Sequence, residues 1–156
     1  MNVEVINPFI NSVLETLEAM IGVTPDREAP YLKNSPRTQY DVTGVIGFIE
    51  EDLHGSIALS FPSRTAINIY NLIKGKGVTK MTREVQDLVG ELTNIVANNA
   101  RKILTEAKLS FHISVPTLVI GRNHAIRHQL NIPVVVVPFR IEDDSFMLEV
   151  SMKIQS

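Results

Sequence analysis

The chain has 156 residues, a formal net charge of −2 from 15 basic and 17 acidic side chains, and no cysteine. That length suits one domain, 1–156, whose core needs no covalent staple. The lack of thiols excludes disulfides, thiolate nucleophiles and zinc–sulfur sites, and the balanced charge, with no Lys/Arg cluster, argues against a nucleic-acid groove. No apolar run approaches about 18 residues, and MNVEVINPF has neither a basic leader nor an apolar signal core. The expectation is a cytoplasmic protein that engages neither nucleic acid nor membrane.

In chain order, Ile10, Val13, Leu14, Leu17 and Ile21 recur at helical spacing. They predict a helix over 7–21, with Asn7 as N-cap, Pro8 at the first helical position and Gly22 as the stop. Residues 23–38 carry Pro25, Pro30 and Pro36 and read as extended surface chain, with room for a short edge strand. Strands over 40–50 and 55–61, joined by Glu51-Asp52-Leu53-His54, form a hairpin. A second helix follows over 63–73 and ends at Lys74-Gly75-Lys76-Gly77, which lacks the length and context of a phosphate loop. The longest helix is predicted over 82–107. Strands are expected over 112–120, 125–131, 133–140 and 145–154, with the β-branched run at 134–137 in a buried central strand. GVIGFIEEDLHGSIALSF at 44–61 resembles VVVVPFRIEDDSFMLEVS at 134–151. An ExxN also occurs twice, at Glu4 with Asn7 and at Glu91 with Asn94, followed by Pro30 and Pro116 respectively. Their common order points to two duplicated halves sharing one sheet.

The long helix has two unlike faces. At about 100° per residue, Val85, Leu88, Val89, Leu92, Val96, Ala100 and Ile103 fall on one side. Asp87, Glu91, Asn94 and Asn98 form a narrow stripe opposite, with Arg101 and Lys102 at its far end. Asparagine is not favoured in mid-helix, because it competes for backbone hydrogen bonds. A carboxylate and a carboxamide three residues apart lie one turn apart on the same face. The carboxamide donates one hydrogen bond and accepts another, so it can hold a water aimed at an electrophile, as a glutamine does in GTPases. The chain offers no phosphate clamp and no metal cage. His124 and His128, in an expected turn and strand, would stand about 13 Å apart, too far to share an ion, and His112 reads as structural. The stripe cannot do phosphoryl chemistry alone, but it could complete a site whose metal and lysine belong to another protein. On chemistry alone, a solvated polar face is the ordinary reading of such a stripe.

Asp87-xxx-Glu91-xx-Asn94, followed by Pro116 after 21 intervening residues, resembles the signature of the CheC/CheX/FliY chemotaxis phosphatases. VGELTNIVANNARKIL, ISVPTLVIGR and the opening INPFINSVLETLEAMIGV resemble the CheX type in context, length and element order. The resemblance implies an α+β, CheC-like fold: internally duplicated helix–strand halves share a mixed, largely antiparallel sheet with long helices packed on it. It also implies an enzyme that hydrolyses the phospho-aspartate of a CheY-type response regulator. In that family the Glu makes a salt bridge to the regulator's lysine and the Asn amide orients the attacking water, roles that fall here on Glu91 and Asn94. Asp87 matches the first signature position, and Asn98 reads as contact surface, so both are assigned to partner binding. The chain itself would bind no cofactor, since the regulator supplies Mg²⁺. CheX-type members resemble sheet-sharing homodimers with one site per chain, and a second site at Glu4 and Asn7 is disfavoured if the first helix starts at Asn7. The alternative is a non-catalytic CheC-like domain that binds a regulator or another signalling partner.

Overall fold

The computed structural model describes residues 3–35, 40–50, 53–122, 124–128 and 132–154. Its first helix, α1, spans Val3–Ile21 and starts a turn before the predicted point, with Pro8 inside it. The reason lies in the core. Val5 and Ile6 are buried together with Phe9 and Ile10, and burying each such side chain stabilises by about 1.5–3 kcal/mol. That outweighs the one intrahelical bond Pro8 cannot donate. Asn7 is thus a helical residue on the exposed face rather than a cap.

Two short strands follow, β1 (Asp26–Arg27) and β2 (Tyr31–Leu32), then the hairpin β3 (Val42–Glu50) and β4 (Leu53–Phe61). Of the turn expected at Glu51-Asp52-Leu53-His54, Leu53 and His54 instead open β4, paired with Glu50 and Ile49, and Glu51 and Asp52 lie outside the described residues. Helix α2 (Ser63–Lys74) ends on Gly75 at φ +63°, the left-handed cap that glycine adopts without cost. Helix α3 (Arg83–Glu106) begins on Thr82, whose hydroxyl accepts from the Val85 amide at 3.2 Å. Beyond it come β5 (His112–Ile113), β6 (Thr117–Ile120), β7 (Val135–Ile141) and β8 (Asp144–Ile154).

The predicted strand over 112–120 breaks at 114–116, where Pro116 has no N–H to give a ladder. Ser114 bridges the break, donating its amide to the Gly47 carbonyl and accepting the Gly47 amide on Oγ, both at 2.9 Å. The strand expected over 125–131 reduces to one isolated bridge at Ala125, and 129–131 lie outside the described residues. Here His124 and His128 tie the chain across the sheet instead of along it: His124 Nε2 meets Thr43 Oγ1 at 2.6 Å, and His128 Nδ1 meets Ser56 Oγ at 2.5 Å.

The sheet order is β1-β7-β8-β4-β3-β5, with β2 also on β7 and β6 also on β3. Every described pairing is antiparallel. This order shows the duplication: each half is a long helix, two short strands and a hairpin. The short strands of each half edge the hairpin of the other, and β4 and β8 join the halves at the centre. The 135–137 valines stand one place in from the edge rather than in the middle, yet they are buried on both faces.

One face of the sheet packs under the helices through Val42, Ile46, Ile57, Phe146, Leu148 and Val150, all of them buried. The other face is polar. Glu149 on β8 is wholly buried there, and its Oε1 receives Lys33 Nζ at 2.7 Å and His128 Nε2 at 3.0 Å. Its Oε2 has no partner among the described residues. Burial pushes this carboxyl up, but the hydrogen bonds and charges of His128 and Lys33 outweigh that and hold it below the usual glutamate range. A carboxyl depressed on folding contributes stability that is complete above its unfolded pKa and is lost as pH falls through the folded value. Stability should therefore decline below about pH 4. Lys33→Met should cost about 3–5 kcal/mol and move that acid limb to higher pH. Urea unfolding at stepped pH reads both, and an unmoved limb would show that Lys33 does not hold the carboxylate down.

Candidate functional site

Helix α3 buries Val85, Leu88, Val89, Leu92, Val96 and Ala100 as the spacing predicts. Its last turns deviate: Leu104 is buried where Ile103 was expected, and Ile103 is 37% exposed. Two contacts seat the middle of the helix. Ser12 of α1, fully buried, donates to the Val96 carbonyl at 2.8 Å. On the sheet side, Gly44 of β3 faces Thr93, and a β-carbon at Gly44 would collide with Thr93 Oγ1 and stand 2.9 Å from its Cβ. Thr93 has nowhere to go, since it is buried with its hydroxyl on the Val89 carbonyl at 2.7 Å. Glycine at 44 lets strand and helix approach this closely, and residue 94 sits directly beside the contact.

The polar stripe faces outward. Asp87 and Glu91 are exposed, while Asn94 and Asn98 are half-buried. Among the described residues, the side chains of Asp87, Glu91 and Asn94 make no hydrogen bond or ion pair. Glu91 and Asn94 are three apart on one continuous helix and present a free carboxylate and a free carboxamide one turn apart. Asn98 is engaged: its Nδ2 donates to the Asn94 carbonyl at 2.9 Å, and its Oδ1 accepts from Arg101 Nη2 at 3.2 Å.

The edge of the sheet flanks the stripe. Leu118 of β6 lies where a β-carbon on Gly90 would touch it at 3.5 Å, and at the far end Phe111 and His112 line a groove with Arg101 and Thr105. The connection carrying Pro116 runs between these two contacts, alongside the middle of α3. Sequence reasoning missed the Gly44 seat, which nothing near position 44 announces. It noted Arg101 only as a flank, although its place two turns beyond Asn94 was readable.

One ground for setting aside Glu4 and Asn7, the helix start at Asn7, does not hold, although no Asp or Ser stands four before Glu4 to match the signature. Because α1 starts at Val3, both lie on the helix, three apart and both exposed. The histidines have other work: besides Thr43, His124 bonds the Gly121 carbonyl through Nδ1 at 2.8 Å, and His128 serves Glu149. His112, read as structural, is exposed and pairs with Glu50 at 3.4 Å. Among the described residues, no three His, Asp or Glu side chains gather as a metal cage, and no helix is long and apolar enough to cross a membrane.

The family described as chemotaxis phosphatase CheX matches residues 42–140, more than half of the chain, and the match takes in the whole of α3. This chain belongs to the CheX family. It is 27% identical to the CheY-P phosphatase CheX of Thermotoga maritima over 157 aligned positions, covering 98% of both chains. Its fold is CheC-like. It superposes on a CheC-like superfamily protein from Shewanella sp. PV-4 with a TM-score of 0.93 at 32% identity, covering 98% of this chain and 99% of that one. A Borrelia burgdorferi chain solved as a CheX-CheY-BeF3-Mg²⁺ complex shares the fold, with a TM-score of 0.81 at 21% identity over 97% and 99% of the two chains.

Proposed function

We propose that this CheX-family chain hydrolyses the phospho-aspartate of a CheY-type response regulator in the cytoplasm, with Glu91 and Asn94 entering the regulator's active site from α3. One observation carries the reading: a carboxylate and a carboxamide one turn apart, uncommitted to any described residue, on a helix held by Ser12 and Gly44. Free side chains at this spacing are available to a partner, and a helix seated in the core holds them without rearrangement. The name of the Thermotoga maritima relative supports the substrate.

In this mechanism the regulator contributes the phosphorylated Asp, Mg²⁺ and a lysine. Glu91 meets the lysine and sets the register of docking. Asn94 donates to and accepts from one water, directing its lone pair at phosphorus in line with the aspartyl oxygen. The water oxygen bonds to phosphorus as the phosphorus–aspartyl bond breaks, leaving inorganic phosphate and the regulator's carboxylate. Asp87 and Asn98 lie on the contact surface. A homodimer belongs to the same reading: the open sheet edge at β5 and β6 carries exposed Val115 and Ile120 beside it.

The test is decay of acetyl-phosphate-labelled receiver domains from the same cell, with and without this protein, while light scattering gives its mass in solution. If decay is not accelerated for any of them, the enzyme reading fails. Regulator binding without acceleration would leave a docking module. The Gly44 seat makes a separate expectation. Gly44→Ala should cost about 1–3 kcal/mol through overpacking, and a shift of α3 should cut turnover by about tenfold or more. Gly47→Ala is the control, because on the same strand its β-carbon would meet nothing nearer than 3.8 Å. Equal turnover in the two variants would show that the contact does not position the site.

A further inference from the structure

The polar stripe of α3 does not stop at Asn98. Arg101 continues it at the same helical phase, and its guanidinium leans back toward Asn94 because Asn98 Oδ1 accepts from Nη2 at 3.2 Å. Beyond it lies the groove between the end of α3 and β5, about 560 Å³ in volume, lined by Glu50, Arg101, Lys102, Glu106, Phe111 and His112 among others. Its charges are ordered. Glu50 stands 3.4 Å from His112 Nδ1, and Glu106 lies a turn past Lys102, at the end far from Asn94. Arg101 and Lys102 form no ion pair with any described residue, and Asn98 is neutral. The stripe thus runs from acids through carboxamides to two cations that no described carboxylate pairs with. The helix dipole does not account for this order, because it acts within the terminal turns, and Glu91 and Arg101 both lie in the interior of α3, outside those turns. A helix pair such as Asn98 with Arg101 is itself worth only about 0.2–0.5 kcal/mol.

We infer that Arg101 and Lys102 form a second docking contact that reads an acidic side chain on the response regulator, about 15 Å along the helix from the point where Glu91 meets the regulator's lysine. This rests on α3 being the regulator-docking helix. The occupant is a receiver-domain surface that carries a cation at one end of the contact and a carboxylate at the other. A stripe with opposite charges at its two ends can be read only one way round, so the pair fixes orientation and discriminates among receiver domains whose surfaces differ at the acidic position. Asn98 is the positioning residue: it holds the guanidinium over the stripe.

The experiment compares wild type with Arg101→Glu, Lys102→Glu and the milder Arg101→Gln, using acetyl-phosphate-labelled receiver domains of the same cell as substrates. Both charge reversals should raise KM about tenfold with kcat within about twofold, as a peripheral charge should. Wild-type KM should climb with added NaCl, and Arg101→Gln should flatten that climb, which a merely structural role would not do. An Asp→Lys or Glu→Lys change at one receiver position should restore the KM of Arg101→Glu. Melting curves of all three variants should overlay the wild type. An active wild type whose charge-reversed variants keep its KM and salt dependence overturns this contact and leaves the phosphatase reading standing. A wild type that accelerates no receiver domain removes both.

Discussion

Asn94→Ala should lower phosphatase turnover by about 10²–10³-fold, the loss typical when one preorganised hydrogen-bonding group at a reacting centre is removed. Unfolding cannot produce this loss. The Asn94 side chain has no partner among the described residues, so truncation strands no buried group, and alanine is the better helix former by a few tenths of a kcal/mol. The variant should melt at or slightly above the wild-type temperature and should still bind the regulator. Asn94→Asp keeps the shape but replaces the N–H donor with a negative charge facing the phosphoryl group, and it should be as inactive as alanine. Single-turnover decay at saturating enzyme isolates the effect from binding. Near-normal turnover in both variants would remove Asn94 from the chemistry.

Glu91→Ala has the second-largest expected effect, and it falls on affinity. Removing one partner of a desolvated intermolecular ion pair costs about 2–4 kcal/mol, which is about 30- to 1,000-fold in affinity. In the free chain Glu91 is exposed and makes no hydrogen bond to Asn94. Its loss should therefore leave stability within about 0.5 kcal/mol and leave the water-holding amide where it is. KM should rise while kcat at saturation changes much less. Glu91→Gln, which keeps the shape and drops the charge, should resemble alanine. A Glu91→Ala enzyme with normal KM and depressed kcat would place Glu91 in the chemical step instead.

Much of this site was legible in the chain because it lies on one helix. Asp87, Glu91, Asn94 and Asn98 share a face as a consequence of 3.6 residues per turn, and Thr82 announces the start of α3 by its capping chemistry. The β3–β4 and β7–β8 hairpins were equally readable from alternation and turn residues, and their likeness exposed the duplicated halves. Ile103 and Leu104 show the limit: they are adjacent and both apolar, and which one faces the core depends on the neighbours that the last turns of α3 meet. The start of α1 was misplaced for the same reason. Asn7-Pro8 looks locally like a helix entry, but burial of Val5 and Ile6 adds a turn ahead of it.

Local periodicity therefore determined that this chain would carry a Glu and an Asn one turn apart on the polar face of a long amphipathic helix. The tertiary structure decided what that pair is worth. It exchanged the short strands between halves, brought Gly44 under Thr93 from the distant strand β3, and gathered Glu50, Arg101 and His112 at one groove. Spacing within a helix is set by bonds and dihedrals that every residue carries with it. Contacts between elements depend on which buried surfaces fit together, and that is a property of the whole chain.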